Sequence, residues 1–239
     1  MEGYIKIIII CSVSIGLGIV LGNGAVYLFN KIPGRWLCDY GQEPSEELLH
    51  PTKQRIRSTP WKYVFTVFFI LAGITMGIKD AAYAMGALMA IWLLLEMSIA
   101  DIKYMIVPDQ FIMLLVLTGI GLVPSSGGNI KSSIWGAAVG LVLIGSMAIL
   151  GRLIYKKWTV GGADIKLFTV LGLVLGLDGL IFTFVVTTFL SAGHFVFLLI
   201  KKKAKLTDER PVVPYIFIAA TLYMVFFREI MYNDFILVF

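Results

Sequence analysis

Two aspartates, Asp101 and Asp164, stand at the edges of apolar runs, where a carboxylate is expensive. Asp101 closes the run AAYAMGALMAIWLLLEMSIA and precedes IKYMIVPDQ, while Asp164 closes VGGAD and opens IKLFTVLGLVLG. Two carboxylates on one side of a membrane can share a proton. One then activates water while the other, protonated, polarises a scissile carbonyl, which is the chemistry of aspartyl-type hydrolysis. A structural reading competes with this. Asp164 suits a helix start, where a carboxylate caps free amides and meets the positive dipole end. Asp101 has no such excuse, because it falls at the C-terminal end of its helix.

The neighbouring residues strengthen the chemical reading. Gly161, Gly162 and Ala163 remove side-chain bulk before Asp164, which permits a positive φ or the close pass of an extended peptide. Val107, Pro108 and Asp109 mark a turn into the next helix: Val107 is held extended, Pro108 can start the helix and Asp109 sits at its N-terminus. Lys103 and Lys166 follow the two aspartates. They either steady a carboxylate charge or hold a substrate carboxylate, and the plainer alternative is a pair of snorkelling interfacial lysines. Glu96 lies inside the apolar run and is expected to pair with a polar group in the bundle. His194 is expected to be a hydrogen-bonded interior histidine.

The elements that carry these residues are membrane spans. The chain has 239 residues, of which 59% are hydrophobic and 15% charged, and its mean hydropathy is +0.89. That balance excludes an ordinary soluble domain. The net charge of +5 reports orientation rather than nucleic-acid affinity. Cys11 and Cys38 supply neither a disulfide framework nor a CxxC zinc site. The first apolar run is too long for a signal-peptide core and lacks a basic leader, so it is expected to stay as a helix. Eight apolar segments are predicted at 4–29, 61–79, 81–100, 109–123, 133–154, 165–177, 179–200 and 212–231. The fold class is therefore all-α, a polytopic membrane bundle. The small-residue pairs Gly18/Gly22, Gly73/Gly77, Gly136/Gly140 and Gly172/Gly176 let helix backbones approach closely.

With the N-terminus outside, only Lys6, Lys79, Lys131 and Arg228 of the 20 lysines and arginines fall on the outer side. The positive-inside rule favours this orientation, which puts both aspartates on the cytoplasmic side. Residues 30–60 read as a cytoplasmic loop with one short helix near Ser45–Leu49, and KKKAKLTDERP as a basic loop along the anionic inner leaflet.

The string DIKYMIVPD, Asp101 to Asp109, followed by GGADIKL, Gly161 to Leu167, resembles the type IV prepilin peptidases, membrane aspartyl proteases of the GxGD class. Pro211-Val212-Val213-Pro214-Tyr215 resembles the family's P-F-G-P-F element, and Gly22 to Pro33 weakly resembles its N-terminal motif. The resemblance implies catalytic roles for Asp101 and Asp164. Gly161, Gly162, Ala163, Lys103, Lys166, Pro108, Asp109 and Pro214 are the expected supporting or substrate-binding residues. It also implies removal of the basic leader from type IV prepilins or pseudopilins at the cytoplasmic face of a bacterial inner membrane. Residues 1–60 would be a first span with a reduced loop, and 61–239 the peptidase core. The partners are the prepilin and the bilayer, with no nucleic acid and no metal. Ala163 replaces the second glycine of GxGD, and the family's N-terminal Asn aligns with Val26. Bifunctional members carry two CxxC pairs in the first loop and methylate the mature pilin with S-adenosylmethionine. Here the loop holds only Cys38, so a four-cysteine zinc site is impossible, and that cofactor enters only if the methyltransferase half is retained. Two rivals from other classes are a proton-coupled transporter using the same aspartates, which calls for polar residues near the midplane, and a scaffold that tolerates Asn at both positions.

Overall fold

The computed structural model describes residues 2–38, 41, 43–44, 46–49, 54–125, 130–156, 161–205 and 208–229. Regular structure among these residues is helical throughout. The order is α1 (Glu2–Lys31), a 3-10 turn (Gly34–Leu37), α2 (Glu46–Leu49), α3 (Ser58–Lys79), α4 (Ala81–Tyr104), α5 (Asp109–Ser125), α6 (Ile130–Tyr155), α7 (Gly162–Ile200) and α8 (Val213–Leu222), which ends in a π-helical turn (Tyr223–Phe227). Five of these helices, α1, α3, α4, α6 and α7, are long and apolar enough to cross a membrane, and α5 and α8 are shorter apolar helices. The chain divides into two compact units, Met1–Glu96 and Met97–Phe239, with the division inside α4.

In the first unit α1 packs on α3 through its glycine pair. A Cβ at Gly22 would lie 2.4 Å from the Thr66 backbone nitrogen, and one at Gly18 2.8 Å from that of Ile70. The matching pair on α3, Gly73 and Gly77, faces Ser14 and Ile10 of α1. Removing side chains on both helices brings the backbones together, the usual way to gain dispersion where lipid cancels the hydrophobic drive. Trp92 on α4 donates to the Leu21 carbonyl at 3.1 Å. Asn30 and Arg55 join the end of α1 to the residues just before α3. The Asn30 side-chain oxygen accepts from the amides of Arg55 (2.6 Å) and Ile56 (2.9 Å). The Arg55 guanidinium donates to the Phe29, Ile32 and Leu48 carbonyls, so it satisfies acceptors at the end of α1 that its own helix leaves open. The expected short helix is present as α2, although Ser45 lies outside the described residues, as do Lys53 and Lys157 of the cations assigned to the inner side.

In the second unit α6 lies against α7 on the same principle. A Cβ at Gly136 would meet the Gly172 carbonyl oxygen at 2.3 Å, and one at Gly140 the Phe168 oxygen at 2.5 Å. The chain of α7 turns back at Gly176, whose φ of 74° and ψ of −179° suit glycine. Phe168 and Phe184 prove the reversal. Their ring centroids are 6.0 Å apart, where an unbroken helix would separate them by about 24 Å along its axis. Ser132 at the start of α6 accepts the Leu177 amide at 3.1 Å and so caps the returning half. The halves, 162–175 and 177–200, are the two predicted segments 165–177 and 179–200. The break falls at Gly176 rather than at 178, because the reversal needs the left-handed conformation and a glycine supplies it. With the reversal counted, the eight predicted apolar segments are all present.

The first half of α7 runs parallel to α5: Asp109 meets Lys166 at their starts, and Gly119 meets Val174 further along. The returning half runs antiparallel to α8, with Gly179 against the Tyr223 ring and His194 against Tyr215. The starts of α5, α7 and α8 therefore share one end of this unit with the end of α4. Lys103, Arg152, Lys156, Lys166 and the cations of 201–210 lie at that end, and Lys131 and Arg228 at the other.

Candidate active site

Asp101 occupies the last turn of α4, which continues to Tyr104 beyond the predicted end at 100. It is 7% exposed, and its Oδ2 accepts the Val213 amide at 2.9 Å. Val213 is the first residue of α8, so Asp101 sits at the N-terminus of a second helix. The dipole that its own helix end denies to a carboxylate is supplied in trans. A backbone donor 112 residues away leaves no mark near Asp101, which is why the sequence reading lacked it. The expected resemblance around Pro211 to Tyr215 is where this donor lies: Pro214 occupies the first turn of α8, next to Val213.

After Asp101, Met105 takes a left-handed φ of 56° and its amide bonds the Asp101 carbonyl at 2.9 Å, which ends α4. Pro108 is buried and stands just before the helix rather than inside it. Its carbonyl accepts from Phe111 (3.1 Å) and Ile112 (3.4 Å), so α5 begins at Asp109.

Asp164 lies in the first turn of α7, as the capping argument anticipates. Gly161 is the N-cap, with φ −68° and ψ 144°. The positive φ entertained for this approach is absent, because an N-cap takes an extended backbone that any residue adopts. What the small residues leave is room. A Cβ at Gly162 would meet nothing within 4 Å, and one at Gly161 only Oδ2 of Asp164 at 3.5 Å. The Asp164 carboxylate lies back toward Gly161, the placement of a third-position acid in a capping box. Ala163 is half-buried beneath it. Asp101 and Asp164 are close enough for the charge of one to act on the other.

Lys166 and Asp109 form an ion pair. Nζ lies 2.8 Å from Oδ2 and 3.0 Å from Oδ1, which joins the residue after the first aspartate's turn to the helix of the second. Lys103 is exposed on the last turn of α4. Glu96 is fully buried, and neither of its carboxylate oxygens has a hydrogen-bond partner among the described residues, contrary to the expected pairing. His194 does hydrogen-bond, through Nδ1 to the Tyr215 hydroxyl, but at an exposed position rather than an interior one. Among the described residues no three His, Cys, Asp or Glu side chains group as a metal site, and neither Cys11 nor Cys38 is in a disulfide.

Residues 87–196 match the Type IV leader peptidase family. A prepilin leader peptidase/N-methyltransferase of Stutzerimonas stutzeri is 31% identical over 135 residues, which is 55% of this chain and 46% of that protein. Another with the same description, from Bacillus subtilis (strain 168), is 30% identical over 130 residues, 54% of this chain and 50% of that one. The chain thus spans about half the length of these curated relatives. No solved structure matches it. The matched segment contains both aspartates and both motifs, and nothing in these likenesses favours the transporter.

Proposed function

We propose that this chain, a relative of the type IV leader peptidases over residues 87–196, is a membrane aspartyl endopeptidase whose catalytic pair is Asp101 and Asp164. The observation that carries this reading is that both come to one end of the second unit, each at a helix N-terminus, near enough for their charges to interact and with open space at Gly162. Two carboxylates brought together resist ionising at once, and in this reading they hold one proton between them. The ionised member takes a proton from water as it attacks the scissile carbonyl. The neutral member donates its proton to the carbonyl oxygen, giving a tetrahedral diol; as the C–N bond breaks, the pair gives a proton to the leaving amine and takes one from a diol hydroxyl, which restores its single proton and leaves the new carboxyl group. The bare approach of Gly161 and Gly162 gives an extended peptide backbone room to lie beside Asp164.

The substrate in this reading is a type IV prepilin or pseudopilin. Its own apolar helix lies in the bilayer and presents the leader junction at the cytoplasmic face of the inner membrane. The cations at the site end of the second unit support that orientation. Residues 61–239 form the peptidase core in this reading, and 1–60 a first span with a reduced cytoplasmic loop. S-adenosylmethionine chemistry is left out, since Cys38 is the single cysteine of that loop. The test is co-expression with a type IV prepilin. Wild type removes the leader, seen as a gel shift, and Asp101→Asn and Asp164→Asn each leave the prepilin intact while still inserting. Full processing by both variants refutes the pair. A mass of the mature N-terminus without an added methyl group is the companion result.

A further inference from the structure

The ion pair between Asp109 and Lys166 has a place that neither residue explains alone. Asp109 is the first residue of α5, and a four-residue connection, 105–108, separates it from the helix whose last turn carries Asp101. That connection is stiff: Met105 is left-handed, and Pro108 is buried with its carbonyl committed to two α5 amides. Lys166 follows Asp164 by two residues on α7, which sets the two side chains about 200° apart around the helix. Lys166 therefore reaches away from the aspartate it follows and grips both oxygens of Asp109. α5 and the first half of α7 run parallel, so this grip joins their two starts at the level of the site.

We infer that Asp109 and Lys166 are a positioning pair. They form a strut that sets the separation of Asp101 and Asp164 without touching the substrate. This deepens the peptidase reading and rests on it. A strut acts on the geometry of the reacting groups rather than on binding, so its loss appears in kcat and leaves KM alone. The Lys166 and Asp109 side chains are 52% and 27% exposed, so salt reaches and screens the pair.

The experiment uses the full chain in detergent or vesicles with a purified prepilin. Lys166→Met and Asp109→Asn are each expected to lower kcat by about tenfold, with KM within about twofold. The double variant is expected to fall by less than the product of the two singles, because the interaction between the two residues is lost in all three. Lys166→Arg restores the pair and most of the rate. Raising ionic strength slows the wild type and not the double variant. A second measurement needs no activity. With Cys11 and Cys38 changed to Ser, the Asp101→Cys/Asp164→Cys protein is bridged by thiol cross-linkers of graded length. The range of lengths that bridge is expected to widen when Lys166→Met is added. Multiplying kinetic effects, an effect confined to KM, or an unchanged range of lengths overturns the strut. If the wild type cleaves no prepilin, the peptidase reading fails, and cross-linking still decides the strut.

Discussion

Replacing Gly136 by Ala tests the helix contact that carries Asp164. The new Cβ would stand 2.3 Å from the Gly172 carbonyl oxygen, 2.8 Å from the Gly176 carbonyl carbon and 2.9 Å from that of Gly172. These are backbone atoms of α7, so no side chain can swing aside, and α7 must retreat by about 1 Å to reach ordinary contact. Overpacking of this kind costs about 1–3 kcal/mol, against a gain of up to ~1 kcal/mol from Ala over Gly in a helix. Gly145 lies on the same helix, and a Cβ there would meet nothing within 4 Å. Gly145→Ala should therefore keep only the gain, which both variants share, so the two should differ by the overpacking cost, roughly 1–3 kcal/mol. Because α7 begins with the Asp164 turn, a shift of about 1 Å is also expected to slow cleavage by ten- to a hundredfold. The assay is thermal unfolding of both purified variants beside wild type, with prepilin cleavage measured on the same samples. A Gly136→Ala protein as stable and as active as Gly145→Ala would refute the claim that this contact sets α7.

Two other contacts give sharp expectations. Ser132→Ala removes the acceptor of the Leu177 amide at the turn of α7 and should lower stability by about 1 kcal/mol, measured by thermal unfolding. Arg55→Met strips the three carbonyls that the guanidinium serves. The expected loss is about 2–3 kcal/mol, with faster protease cutting in the 32–57 segment than in wild type.

Much of this was legible in the chain because membranes leave few options. Apolar segments must be helices, and their number was readable from length and hydropathy. The glycine pairs spoke for close helix contacts, and the structure uses them reciprocally, Gly18 and Gly22 on α3 and Gly136 on Gly172. Asp164 at a helix start followed from local capping chemistry. What stayed hidden depends on partners distant in sequence. The Val213 amide that holds Asp101 is a main-chain group without a side-chain signature. Asn30 accepts from a main-chain amide 25 residues away and the Arg55 guanidinium donates to main-chain carbonyls, groups without a side-chain signature. Glu96 was expected to find a partner because burial normally demands one, and composition does not show that none is at hand among the described residues. His194 looked interior because a mid-span histidine usually is, whereas the turn at Gly176 decides which face of the returning helix it occupies.

The most direct test of the account is the rate of prepilin cleavage by purified wild type, Asp101→Asn, Asp164→Asn and the double variant, each shown to be folded by its unfolding transition. The account predicts that either single variant loses at least about a thousandfold in kcat and that the double variant loses no more, because the pair works as one unit. Cleavage near the wild-type rate by either folded single variant would contradict it.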